Sequence, residues 1–125
     1  MQAVESQYNI YFEEFLDKFK AEPPKGKTVA IFMSSLEENG IYWCPDCENA
    51  RDNVNNIIIP KCNEKGWKFF HVNVGDKPTW KNPEHPLRTN LDVNISRIPI
   101  LAIFEGVNFN NIFLIKIGKN CQDFS

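Results

Sequence analysis

The sequence predicts an α/β fold, a mixed central β-sheet flanked by helices, and three features point there. Residues 28–33 (TVAIFM) form an unbroken apolar run of strand length, as expected of a strand buried on both faces. Segments of helical period alternate with segments of strand period along the chain. The closest cysteine pair, Cys44 and Cys47, falls where the buried strand gives way to a helix. At 125 residues the chain can build one hydrophobic core but hardly two, so residues 1–125 are read as one domain.

Residues 2–5 are assigned a short edge strand. From residue 9 to about residue 20, Phe12, Phe15, Leu16 and Phe19 recur at helical spacing with Glu13, Glu14, Asp17 and Lys18 between them, an amphipathic helix. Pro23, Pro24 and Gly26 stop it. After strand 28–33, the polar loop SLEENGIY delivers the chain to Trp43-Cys44-Pro45-Asp46-Cys47. A second helix is expected over 47–62, burying Ala50, Val54, Ile57 and Ile58, with Pro60 kinking or fraying its end. Residues 67–74 (WKFFHVNV) alternate as a strand, and GDKPTWKNPEHP, rich in Gly and Pro, reads as a loop. A short helix over 87–93 and strands over 100–104 and 112–117, joined by a turn at 105–111, complete the order β-α-β-α-β-α-β-β.

Composition narrows the function. Hydrophobic residues make up 42% and aromatics 13%, a globular balance rather than a disordered one. The net charge of −2, with no long Lys/Arg run, gives no basic face for a nucleic acid. The first residues lack a basic stretch followed by an apolar one, and no window approaches the roughly 18 apolar residues of a membrane span. The expectation is a cytoplasmic protein with neither nucleic-acid nor membrane partners. In a reducing compartment, a close pair among four cysteines reads as redox or metal chemistry.

The pair carries that chemistry through its position. The first turn of a helix offers unpaired backbone N–H groups and the positive end of the helix dipole, which favour a thiolate at Cys44. Two intervening residues leave Cys47 close enough to close a disulfide with it. Cys44 is therefore the expected nucleophile, attacking a substrate disulfide, and Cys47 the resolving thiol that attacks Cys44 and releases reduced substrate. Half of a zinc site is the competing reading, but Cys62, Cys121, His71 and His85 supply no second close pair. No metal is expected. Pro99, just before the strand ILAIF, either begins an edge strand or exposes the backbone at Ile98 for an extended substrate.

WCPDC, then GDKPTWKNP, then RTNL and the Ile98-Pro99 pair resemble the thioredoxin domain-containing protein 17 family, small cytosolic thioredoxins; FEEF in the first helix fits as well. The likeness covers roughly residues 10–117. It implies a monomeric thioredoxin fold with an extended loop before the Cys pair. It also implies a cis Pro99 facing that pair, and catalytic positions for Cys44 and Cys47 with Trp43, Pro45, Asp46, Ile98 and Pro99 around them. Lys77, Pro78, Trp80 and Lys81 match the family's loop after the third strand. No bound cofactor is implied. Electrons would come from NADPH through thioredoxin reductase, and substrates would be cystine, nitrosothiols or selected protein disulfides. Two departures stand out: Ile100 replaces the usual Thr after the proline, and the chain after Lys119 leaves a shortened C-terminal helix.

The strand TVAIFM lacks the buried carboxylate of ordinary thioredoxins. Asp46, aided by Glu37 or Glu38, is thus a candidate for proton transfer at Cys47, against the plainer reading that it complements the helix N-terminus. Trp43 is a candidate substrate lip. Trp80, with Lys81 and Arg88, is either a second lip or an anchor for its loop, the anchor being favoured. His71 reads as a core or edge histidine, His85 as a loop residue without an identifiable partner, and Cys62 and Cys121 as free thiols. The alternative from another class is a non-catalytic thioredoxin-fold interaction module; a thiol peroxidase is disfavoured by the missing PxxxTxxC motif.

Overall fold

The computed structural model describes residues 7–21, 27–90, 94–105 and 112–116. Its strands are β1 (Gln7–Tyr11), β2 (Lys27–Met33), β3 (Lys68–Asn73), β4 (Ile100–Glu105) and β5 (Ile112–Lys116). Its α-helices are α1 (Phe12–Ala21), α2 (Pro45–Asn53), α3 (Ile59–Lys65), α4 (Lys77–Lys81) and α5 (Pro86–Thr89), with a π-helical turn, Val54–Ile58, between α2 and α3. The strands form one mixed sheet in the order β1-β3-β2-β4-β5. β1 and β2 run parallel to β3, while β4 is antiparallel to both β2 and β5. The expected edge strand at 2–5, the end of the helix at 91–93, most of the turn at 105–111, and the C-terminal stub with Cys121 lie outside the described residues.

β2 is buried on both faces, as its apolar run predicts, and it divides two cores. Ala30 and Phe32 face one core with Phe12 and Phe15 of α1, Phe70, Val72, Trp80, Leu87 and Phe104. Val29, Ile31 and Met33 face the other with Ala50, Val54, Ile58, Cys62, Phe69 and Leu101. Phe15 is the centrepiece of the first core, meeting Phe32 and Phe70 edge to face at 5.4 and 5.5 Å. Among the described residues no helix is long and apolar enough to cross a membrane.

The structure moves several boundaries for identifiable reasons. Asn9 to Tyr11, predicted helical, belong to β1: their backbone pairs with β3 up to Tyr11 opposite Asn73, and Ile10 packs on the first core. Pro60 neither ends nor frays its helix. It sits in the first turn of α3, where its missing N–H is tolerated, and the π turn just upstream widens the backbone ahead of it. The π bond runs from Ile59 N–H to Val54 O. That turn shifts the helical register, so Val54 and Ile58 are buried while Ile57, predicted to be buried, is 43% exposed. The chain continues to Lys65 and stops at Gly66, which takes the left-handed conformation of a C-cap.

The segment GDKPTWKNPEHP, predicted to be a loop, contains α4. Asp76 caps it by accepting the Thr79 N–H at 3.0 Å, and Pro78 fits the first turn. His85 caps α5 and is not without partners. It is 1% exposed: Nδ1 accepts the Leu87 N–H at 3.1 Å, and Nε2 lies 2.9 Å from Val74 O. The two bonds together require a neutral ring protonated at Nε2. Its ring packs between Phe12 and Trp80, with centroids 4.1 and 5.0 Å away.

Burial, more than the Val74 carbonyl can offset, holds His85 below the usual histidine pKa; burial holds His71 down likewise. A depressed folded pKa contributes stability above the unfolded value of about 6.5 that is lost as pH falls through the folded value. Urea midpoints should therefore fall between about pH 7 and about pH 5. His85→Gln should cost about 1–3 kcal/mol at neutral pH and flatten that acid limb.

Candidate active site

The carboxyl end of β2 and the start of α2 meet at two buried sulfurs. Cys44 is the N-cap of α2, with extended backbone (φ −88°, ψ 116°), and its carbonyl accepts the Glu48 N–H at 3.0 Å. Pro45, at the first helical position, needs no N–H partner there. Cys44 is 9% exposed, and Cys47, one turn further on, is 0% exposed behind it. Both pack in the second core, with Trp43 and Ile98 against them from the rim. The Ile98–Pro99 bond is cis, and Pro99 is buried.

Ser34, which the sequence reading passed over, ties the two cysteines together. Its N–H points at Cys47 Sγ, 3.4 Å away, and its Oγ accepts the Cys44 N–H at 3.3 Å. It is itself 1% exposed. A hydroxyl directly after an unbroken apolar strand was the signal available, because a buried polar group there needs a partner. Gly75 is the second unforeseen contributor. Its carbonyl accepts from Trp43 Nε1 at 2.9 Å and from the Ser35 N–H at 3.2 Å, which fixes the indole beside Cys44. Gly75 has φ +102°, and a Cβ there would lie 2.9 Å from both Thr79 Cγ2 and the Tyr11 hydroxyl.

The loop before the pair is clamped to α2. Leu36 and Tyr42 form an isolated antiparallel bridge, and Gly40, at φ 82°, turns the tip. Glu48 accepts the Tyr42 N–H at 3.1 Å. Arg51 grips the same carboxylate through Nε and a terminal nitrogen, donates to Gly40 O at 2.7 Å, and lies 4.7 Å above the Tyr42 ring. The Tyr42 hydroxyl meets His71 Nε2 at 3.1 Å. A cleft of about 560 Å³ opens beside this clamp, with Ser34, Tyr42, Asn55, His71 and Asn73 in its wall.

Burial pushes the Cys47 thiol far up, against the pull of the Ser34 hydrogen bonds; the neighbouring Cys44 adds to the rise. Burial alone pushes Cys62 up to about 12. The Arg51 side chain, then the Tyr42 N–H, hold Glu48 below the usual carboxylate range. Among the described residues no three His, Cys, Asp or Glu side chains gather as a metal site.

The structure thus brings Cys44, Cys47, Trp43 and Ile98 together, with Pro45 exposed at the helix start. Asp46 is exposed in the first turn and is not among the groups acting on the Cys47 thiol. Trp80 is the anchor rather than a lip: it is buried, Arg88 lies 4.1 Å over its ring, and Arg88 Nε donates to its carbonyl.

The thioredoxin-domain model of the thioredoxin domain-containing protein 17-like family matches residues 9–111. The chain belongs to that family. It is 40% identical over 83 residues to thioredoxin domain-containing protein 17 of Homo sapiens, covering 66% of this chain and 64% of the relative. The mouse (Mus musculus) protein of the same name is 38% identical over 91 residues, covering 72% and 69%. The thioredoxin-like protein Clot of Oryza sativa subsp. japonica is 35% identical over 100 residues, covering 75% and 72%. The match therefore spans a little under two thirds of the human relative's length. Membership gives the chain a thioredoxin-like α/β fold and, with the Cys44–Cys47 pair, supports a redox-related role.

Gly75→Ala should cost about 1–3 kcal/mol in urea unfolding, since its backbone strains any L side chain. Raised thiols act on the alkaline side. Cys62 contributes stability that is complete below the unfolded thiol value of 9.0 and lost as pH rises towards its folded value of about 12. Under reducing conditions the urea midpoint should fall from about pH 8 to about pH 10.5, and fall less steeply in Cys62→Ala.

Proposed function

We propose that this chain is a dithiol–disulfide oxidoreductase that reduces disulfides through Cys44 and Cys47. The observation that carries the reading is the asymmetry of the pair: Cys44 at the helix N-cap retains exposure, while Cys47 is sealed behind it. Only Cys44 can meet a disulfide arriving from solvent. Its thiolate, favoured by the free N–H groups of the first turn, attacks one sulfur of the substrate and forms a mixed disulfide. Cys47 then attacks Cys44, the pair closes, and reduced substrate leaves.

Trp43, held flat by Gly75, and Ile98 form the apolar rim on which the substrate rests, with Pro45 and Pro99 completing the lip. No cofactor is bound in this scheme. The closed disulfide is reopened by thioredoxin reductase with electrons from NADPH, and the chain works as a monomer in the cytoplasm, where that supply is maintained. Cystine and accessible protein disulfides are the substrates. Asp46 is assigned the plainer role of an acid beside the helix N-terminus.

NADPH consumption in the presence of thioredoxin reductase tests this directly, with cystine and insulin as alternative substrates. Turnover should favour cystine and should drop at least a hundredfold in Cys44→Ser. Unchanged consumption by that variant, or none by the wild type, would overturn the assignment.

A further inference from the structure

Resolution of a mixed disulfide sets Cys47 a problem that the geometry of the site makes acute. Its sulfur is 0% exposed, and burial stabilises the protonated thiol. Once Cys44 carries a substrate, the one route past Cys44 to solvent is covered as well. The proton on Cys47 must nevertheless leave before its sulfur can attack. Asp46 is exposed and does not act on that thiol, and β2 carries no carboxylate.

We propose that Ser34 is a catalytic residue: it stabilises the Cys47 thiolate and passes the Cys47 proton into the cleft behind the sheet end. This rests on the reductase reading above. Three observations converge on it. The Ser34 N–H already points at Cys47 Sγ at 3.4 Å. Its hydroxyl is buried beside both cysteines, accepting the Cys44 N–H at 3.3 Å and donating to Ser35 O at 3.2 Å. A hydroxyl rotates about its C–O bond, so the proton now on Ser35 O can turn to the sulfur or to the cleft. Finally, Ser34 is itself part of the wall of the 560 Å³ cleft, which is open to solvent and lies away from the Trp43–Ile98 rim. Both Ser34 groups also favour the thiolate form of Cys47, which is the sense a resolving step requires.

The step balances without any further reagent. Cys47 gives its proton to Ser34 Oγ as the Ser34 hydroxyl proton passes to solvent in the cleft. The Cys47 sulfur then attacks Cys44 Sγ; the Cys44–Cys47 bond forms and the bond from Cys44 to the substrate sulfur breaks. The departing electron pair stays on the substrate sulfur, which takes a proton from solvent on the open side. Two electrons move from the dithiol to the substrate, and Ser34 is regenerated.

The aromatic disulfide 5,5′-dithiobis(2-nitrobenzoate) separates the two steps on the full-length reduced chain. The first equivalent of thionitrobenzoate reports attack by Cys44, and the second reports resolution by Cys47. In Ser34→Ala the ratio of the second rate to the first should fall at least tenfold. Should that variant fold poorly, the isosteric pair Ser34→Thr and Ser34→Val decides the matter, since they share a shape and differ by one hydroxyl. Thr should hold the ratio within threefold of wild type, and Val should lose it. Equal ratios in Thr and Val, or an unchanged ratio in Ala, would remove Ser34 from the mechanism. A wild-type chain that releases no second equivalent would sink the reductase reading itself, which is a distinguishable result.

Discussion

The site depends on the fact that β2 is buried on both faces and bonded along both edges. A central strand of this kind has no freedom to slide, because one residue of slip would exchange Val29, Ile31 and Met33 with Ala30 and Phe32 between the two cores. The residue that follows it is thereby placed without tolerance. Ser34 emerges at the sheet end as the first polar side chain after a dry strand, and its three hydrogen-bonding groups are distributed between Cys44, Cys47 and Ser35. The chemistry is thus held to the most rigid part of the molecule rather than to the loop that precedes it.

That loop is rigidified by different means. Its tip exposes Leu36 and Ile41, yet its base is fixed through one carboxylate: Glu48 takes the Tyr42 N–H and both arms of Arg51. Exposed ion pairs contribute little to stability by themselves. Here the pair has a geometric consequence, since both partners lie on α2, the helix that carries Cys47, and both reach the loop that leads to Cys44. The two cysteines therefore share a frame from both sides of the helix start.

Much of this was legible in the residues. The apolar run of β2, the period of α1 and the spacing of Cys44 and Cys47 are local patterns, and local patterns survive folding. What was not legible depended on partners distant in sequence. β1 is a strand because β3 lies beside it, not because of its own residues. Cap signals at Asp76 and Pro78 were present, but the density of Gly and Pro around them outweighed a helix of barely more than one turn. His85 and Ser34 look ordinary in the sequence; only burial reveals that each must find partners, and those partners lie about ten residues away or more in Val74, Cys44 and Cys47. Polar residues at the ends of dry segments are the ones a sequence reading should question first.

The π turn has a consequence for what this chain can tolerate as it diverges. Between the cap at Cys44 and the stop at Gly66, the helix holds one residue more than an uninterrupted α-helix would place over that path. Losing any single residue of Val54–Ile58 would let the turn relax to ordinary α geometry, but everything downstream would rotate by about 100°. Cys62 would swing from the core towards solvent, and Ile59 would leave the cleft wall. Substitutions at the exposed Asn55 and Asn56 leave that arrangement alone. The segment is thus permissive in spelling and strict in length, a place where an insertion or deletion is far harder to absorb than a change of residue.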